Sequence, residues 1–262
     1  MADRWTDGSA YDDFIGRWSR RVAREFLSWL GLPRGAQWLD FGCGTGALTQ
    51  TILDSASPRR VIGCDRAPAY VEHARRAIGD SRASFSVAEL PELPSIAGGF
   101  DAAVSGLVLN FLPEPADGVA AMMARVRRGG TVAAYVWDYA GKMELLRIFW
   151  DHAVALEPES TDLDEARRFP LCRSGALEAL FRGAGLRDVA AAQISVPTVF
   201  RDFDDYWSPF LMGQGPAPGY VQGLAPGDRD RLRAAIQASL LVRRDGAIAL
   251  TARAWAVRGG VA

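Results

Sequence analysis

The stretch Trp38-Leu39-Asp40-Phe41-Gly42-Cys43-Gly44-Thr45-Gly46-Ala47-Leu48 holds the residues whose types and spacing point most directly to chemistry. Apolar residues run into an aspartate, glycines follow at alternate positions 42, 44 and 46, and a helical pattern resumes at Ala47. Such a run reads as a buried strand, a tight glycine loop and a helix N-terminus. Without Cβ atoms there, the backbone can turn sharply and lie against a bound molecule. The free N–H groups of the following helix favour a negative group. A nucleotide-like molecule is the natural occupant.

Two kinds of nucleotide fit. Gly42-x-Gly44-x-x-Ala47 matches the dinucleotide fingerprint, and Asp65 follows at about the 20-residue spacing of its ribose acceptor. Asp40-x-Gly42-x-Gly44-x-Gly46 also resembles motif I of the class I S-adenosylmethionine-dependent methyltransferases. In that family the aspartate closes the first strand and the glycines, here with Cys43 between them, cradle the methionine half of the cofactor. The later segments separate the two. Asp65, followed by Arg66, sits where the family places an acid accepting both ribose hydroxyls, a role suited to an acceptor-only carboxylate. Phe85-Ser86-Val87-Ala88-Glu89-Leu90, then Leu93-Pro94, resembles the segment after the third strand. There an acid takes the adenine amino group and the next backbone N–H meets a ring nitrogen, roles that fall on Glu89 and Leu90. Aspartate is the commoner family residue; glutamate is one methylene longer.

Phe100-Asp101 through Leu112-Pro113, with Ser105 closing the strand, resembles the fourth strand and the loop beneath the reactive methyl. Arg127-Arg128-Gly129-Gly130-Thr131 resembles the turn into the fifth. These segments span residues 38–138 in the family's order, which a nicotinamide enzyme would not reproduce. Tyr11 to Ser19 resembles a stretch that covers the cofactor in some small-molecule members. Tyr11 would hydrogen-bond its carboxylate and Arg17 would pair with it; the bland alternative makes Arg17 a solvated helix start and Trp18 a core residue.

The elements that must hold these residues follow from periodicity. Val22, Phe26, Trp29 and Leu30 share one stripe of an amphipathic helix ended by Gly31-Leu32-Pro33. Strands are expected at 38–41, 60–65, 83–88, 100–105 and 131–137, with helices near 48–53, 68–78 and 114–126 between them. Strands alternating with helices at this spacing imply a doubly wound parallel sheet, and near-continuous apolar strands imply that both faces are covered. After Trp137-Asp138-Tyr139 the alternation stops until a helix near 174–183 and a strand near 186–196, and it breaks again before a final strand at 248–257. The resemblance implies an α/β fold with a mostly parallel seven-stranded sheet and helices on both faces. The whole chain, 1–262, reads as a single domain. Within it, 11–31 is the cofactor-covering segment, 36–138 the cofactor-binding half, and 139–172 and 198–244 are insertions expected to form a lid over the ligand edge.

Thirty Lys+Arg against 31 Asp+Glu give a net charge of −1, and Lys142 is the sole lysine. That balance shows no basic face for nucleic acid, and aromatics near Asp202-Phe203-Asp204-Asp205-Tyr206-Trp207 sit among acids rather than arginines. Three cysteines without a C-x-x-C pair indicate neither a disulfide framework nor a zinc site, so no metal is expected. The N-terminus lacks the apolar core of a signal peptide, and the run Ala102–Leu112 is too short to span a bilayer. The expectation is a cytoplasmic protein with no nucleic-acid or membrane partner.

Methyl transfer from a sulfonium is an in-line displacement, so orientation supplies much of the acceleration. Dry aromatic walls suit the cationic sulfur, and Trp137, Trp150, Tyr206, Trp207 and Phe210 are the candidate acceptor contacts. An alcohol acceptor needs a base. Of the two histidines, His73 lies away from the reactive edge, leaving His152, with Asp138 and Tyr139 as the other candidates. An amine or an ionised oxygen needs none. Two functions from different classes follow: a methyltransferase of small molecules using S-adenosylmethionine, or an S-adenosyl-ligand-binding protein that acts as a partner or scaffold.

Overall fold

The computed structural model describes residues 16–212 and 215–262, with only the backbone of Arg17. The expected contacts of Tyr11 and of the Arg17 side chain therefore lie outside the described residues. Seven strands form one sheet: β1 (Gln37–Phe41), β2 (Arg60–Asp65), β3 (Ala83–Val87), β4 (Phe100–Gly106), β5 (Val126–Trp137), β6 (Arg187–Phe200) and β7 (Ile248–Gly260), in the order β3-β2-β1-β4-β5-β7-β6. β1 to β5 run parallel. β7 lies antiparallel between β5 and β6. The sheet is thus mixed, with one antiparallel excursion in an otherwise parallel arrangement.

The helices are α1 (Arg17–Leu30), α2 (Ala47–Ser55), α3 (Pro68–Ala77), α4 (Pro115–Arg125), α5 (Glu144–Leu156), α6 (Glu165–Arg168), α7 (Ala176–Gly183), α8 (Phe203–Trp207), α9 (Pro216–Gly223) and α10 (Pro226–Ser239). The middle strands are apolar without interruption because they are covered on both faces: Trp38 and Leu39 of β1 and Phe100, Ala102, Ala103 and Val104 of β4 are all buried. α1 buries its Trp18, Val22, Phe26 and Leu30 stripe, with the Phe26 ring 4.7 Å from Tyr135 of β5. Gly31 ends that helix in the left-handed region at φ 60°. Arg258 of β7 stacks on Trp29 at 5.0 Å and donates to the carbonyls of Trp29 and Leu30, which the helix cannot satisfy itself. Pro68 opens α3 at the position where its missing N–H costs nothing. No helix among the described residues is long and apolar enough to cross a membrane.

The two irregular stretches follow β5 and β6, so both leave the sheet at the carboxyl ends of parallel strands. They pack on each other. Phe149 of α5 stacks on Phe210 at 4.6 Å and 12°, Trp150 meets Tyr220 of α9 at 5.7 Å, and the Tyr206 hydroxyl of α8 donates to the Leu145 carbonyl at 3.0 Å. Trp150, Tyr206, Trp207 and Phe210 are 1, 0, 4 and 0% exposed. The expectation that these four face an acceptor is corrected: they form a second aromatic core joining the insertions, because each insertion's apolar face is too large to leave wet and the other one covers it.

Candidate functional site

The carboxyl ends of β1 to β5 surround a cavity of about 550 Å³. One half is built from the glycine loop. Gly42, Gly44 and Gly46 have φ of +71°, +54° and +91°, the left-handed region that favours glycine. Their reasons differ. A Cβ at Gly42 would stand 2.5 Å from Val108, and one at Gly46 would stand 2.6 Å from Ile78. At Gly44, which lines the cavity, a Cβ would meet no protein atom within 4 Å. Gly42 and Gly46 therefore let the loop pack, while Gly44 leaves the cavity open.

Asp65, at the end of β2, accepts the Gly44 N–H at 3.0 Å on one oxygen and the Ala67 N–H at 2.9 Å on the other. These bonds tie the two strand ends together and orient a carboxylate into the cavity. Asp40 ends β1 wholly buried; the Thr49 hydroxyl of α2 donates to its Oδ2 at 2.6 Å, while Oδ1 has no hydrogen-bond partner. Burial pushes the Asp40 carboxyl up to about 7, against the lowering effect of the Thr49 hydrogen bond. Burial likewise raises the Cys43 thiol, and Cys64 rises to about 12, so both are packing groups rather than nucleophiles. Arg66, Glu89 and Leu90 complete this half.

The opposite half is apolar and aromatic. Leu107, Val108, Phe111, Leu112 and Pro113 come from the segment after β4, Trp137 and Tyr139 from the end of β5. Leu107 sits at φ 64°, unusual for a side chain of its kind, with its N–H donating to the Tyr135 carbonyl at 2.8 Å. Phe169 backs this wall, 5.0 Å from the Phe111 ring and 5.8 Å from Tyr139.

Comparisons with known proteins fall on the same residues. Residues 39–130 match the family model described as a methyltransferase domain. Those residues, which carry the glycine loop and Asp65, thus form a methyltransferase domain of the S-adenosylmethionine-dependent kind, and S-adenosylmethionine is the cofactor of that kind. It is 28% identical over 218 residues to a tRNA U34 carboxymethyltransferase of Pseudomonas paraeruginosa, covering 80% of this chain and 62% of that protein. It is 25% identical over 135 residues to a malonyl-[acyl-carrier protein] O-methyltransferase of Acetivibrio thermocellus, covering 51% of this chain and 47% of that one. The chain thus spans less than two thirds of these relatives. In fold it resembles the Haemonchus contortus phosphoethanolamine N-methyltransferase 2, solved with phosphomonomethylethanolamine and S-adenosylhomocysteine, with a TM-score of 0.57, 12% identity and coverage of 97% of this chain and 57% of the other.

The residues of the cavity fit that cofactor. Asp40, Asp65 and Glu89 offer acceptors to a ligand that is cationic at sulfur and rich in O–H and N–H donors, and the partnerless Asp40 Oδ1 requires such a donor. Asp40, Gly42, Cys43, Gly44, Asp65, Arg66, Glu89 and Leu90 are brought together here, as are Trp137 and Tyr139. The other expected site residues lie elsewhere. Ser105 is buried, its hydroxyl donating to the Phe41 carbonyl at 3.0 Å, and Gly46 faces Ile78. His152 is half-buried on α5 beyond the lining, so it is not placed to act as a base. Asp138 is engaged by Arg253 at 2.5 Å and by the Lys142 N–H at 2.9 Å, which makes it an anchor.

Ser19, Thr45, Tyr70, Val108, Phe111 and Tyr135 line the cavity without having been singled out. Phe111 and Val108 lie inside the segment resembling the loop beneath the reactive methyl, and Ser19 ends the stretch resembling a cofactor-covering segment. The expectation of no nucleic-acid partner is also corrected, since a tRNA-modifying relative matches 80% of the chain. Net charge averages over a surface and does not show how arginines are grouped on it.

Proposed function

We propose that the protein transfers the methyl group of S-adenosylmethionine to an O, N or C nucleophile of a small acceptor with an uncharged, ring-bearing body. The observation that carries this is the division of the cavity into an acidic, glycine-lined half and an aromatic half. The cofactor supplies an electrophilic methyl group. Asp65, already oriented by the Gly44 and Ala67 N–H groups, holds the ribose hydroxyls, and Asp40 and Gly44 hold the methionine half. Glu89 and the Leu90 N–H receive the adenine. Phe111, Trp137 and Tyr139 then fix the acceptor's ring and exclude water, so that orientation and a dry site do most of the work. Neither histidine lines the cavity, so the acceptor's own ionisation sets its reactivity.

One observation favours a second reading, a tRNA base as acceptor: the similarity to relatives named as a tRNA carboxymethyltransferase and a tRNA methyltransferase. Methyl-labelled S-adenosylmethionine offered with a panel of phenols and aromatic amines, and separately with bulk tRNA, tests both. Label on a small ring supports the first reading, and label on tRNA alone replaces it with the second. Cofactor binding without transfer to anything makes the protein a ligand-binding partner instead.

A further inference from the structure

Asp138 and Tyr139 are neighbours with opposite fates: one side chain is clamped, the other lines the cavity. The turn that carries both, 138–143, is fastened to β7 from several directions. The Asp138 N–H donates to the Arg253 carbonyl at 2.9 Å, and the Arg253 N–H donates to the Lys142 carbonyl at 2.8 Å. Within the turn, the Gly141 and Met143 N–H groups donate to the Asp138 carbonyl at 3.3 and 3.0 Å. The side chains repeat the connection. Arg253 Nη2 and Nε reach Asp138 Oδ2 at 2.5 and 2.8 Å, and that same oxygen accepts the Lys142 N–H at 2.9 Å. The guanidinium is held in turn, lying 4.7 Å over the Trp255 ring and donating to Gln193 of β6 at 3.3 Å. Gly141 has no room for a side chain, since a Cβ there would stand 2.8 Å from Arg253 Nη2.

We propose that Arg253 is a positioning residue for the methyl acceptor: it fixes the 138–143 turn through Asp138 and so sets Tyr139 against Phe169 as the wall of the acceptor half. This rests on the methyl-transfer reading above. A side chain with a planar donor fork suits the task, because two N–H groups on one carboxylate fix its direction as well as its distance. Arg253 does not itself line the cavity, and the glycine loop and Asp65 stand on other strands, so the clamp acts on one half of the site.

The test measures steady-state kinetics, S-adenosylhomocysteine affinity by calorimetry, and hydrogen exchange at Gly141–Met143, in wild type, Arg253→Met and Arg253→Lys. The expected result for Arg253→Met is an acceptor KM raised at least 10-fold, faster exchange of the turn amides, and S-adenosylhomocysteine affinity within 2-fold of wild type. Arg253→Lys should regain part of the acceptor KM. In a Tyr139→Ala background, Arg253→Met should add little to the KM change, since both act on the same wall. If Arg253→Met does not fold, Asp138→Asn applies the same test from the other partner. An unchanged acceptor KM in an active enzyme, equal losses for acceptor and cofactor product, or full additivity with Tyr139→Ala overturns the inference. A wild type that binds S-adenosylhomocysteine but methylates nothing overturns the transfer reading first, and the positioning role falls with it.

Discussion

Asp65 and Gly44 meet across the cavity floor, and substituting each tests a different thing. Asp65→Ala removes two charge-assisted acceptors for hydroxyls and the tie to the loop, so cofactor binding should weaken by about 2–4 kcal/mol while the protein stays folded. Calorimetry with S-adenosylhomocysteine reads this directly; an unchanged Kd would take Asp65 out of the site. Gly44→Val should abolish binding, because its side chain would enter the cavity from a backbone at φ +54° that a β-branched residue resists. Gly42→Ala should instead lower Tm, since its Cβ meets Val108 rather than open space. If Gly44→Val lost stability while Gly42→Ala lost only binding, the assignment of the two glycines would be reversed. The alternation of glycines was legible in the sequence; which of them faces ligand was not, because that depends on Val108 and Ile78, brought in by other elements. Asp138 shows the same limit, since its partner Arg253 lies 115 residues away.

The parallel strands, their acidic ends and the helices between them could be read from period and spacing, because each βα unit is local and repeats the same pattern. The insertions could not. Clustered aromatics after β5 and β6 serve equally well as a cavity wall or as a core, and only the stacking of Phe149 on Phe210 decides between them. Trp207→Ala should therefore act as a core truncation, costing about 3–5 kcal/mol of stability. The folded fraction should keep its S-adenosylhomocysteine affinity; thermal melts with calorimetry check both. A stable variant with only acceptor turnover impaired would return Trp207 to the site. The same second core holds Glu165 of α6, buried, accepting a hydrogen bond from the Trp150 indole and pushed by desolvation up to about 8. A raised folded-state pKa contributes stability that is fully present below about 4.5 and is lost as pH rises through about 8. Asp40 acts in the same direction between 3.8 and about 7. Tm should accordingly fall from pH 5 to pH 9, and Glu165→Gln, which stays neutral and keeps an acceptor for the indole, should flatten the upper part of that fall. Melting curves across the range check it; a variant curve parallel to wild type would remove Glu165 as the cause.

At the scale of the whole molecule, the division of labour follows the sheet. The acidic, glycine-lined half of the cavity stands on β1 to β3, while the aromatic half stands on β4 and β5 and is braced by β7. Among the described strands β7 comes latest in the chain, yet it pairs in the interior, between β5 and β6. A ribosome that has just finished the Asp138 end of β5 must add 115 more residues before Arg253 emerges. At about 5–20 residues per second that interval is on the order of ten seconds. Throughout it β5 is a bare parallel edge, rich in buried-type residues and open to any strand that presents itself. A nascent chain can therefore shape its nucleotide pocket early, but it must be shielded from its neighbours until the closing strand arrives. The β7 of a second copy would meet that edge with the same residues that pair Thr131 to Trp137 here.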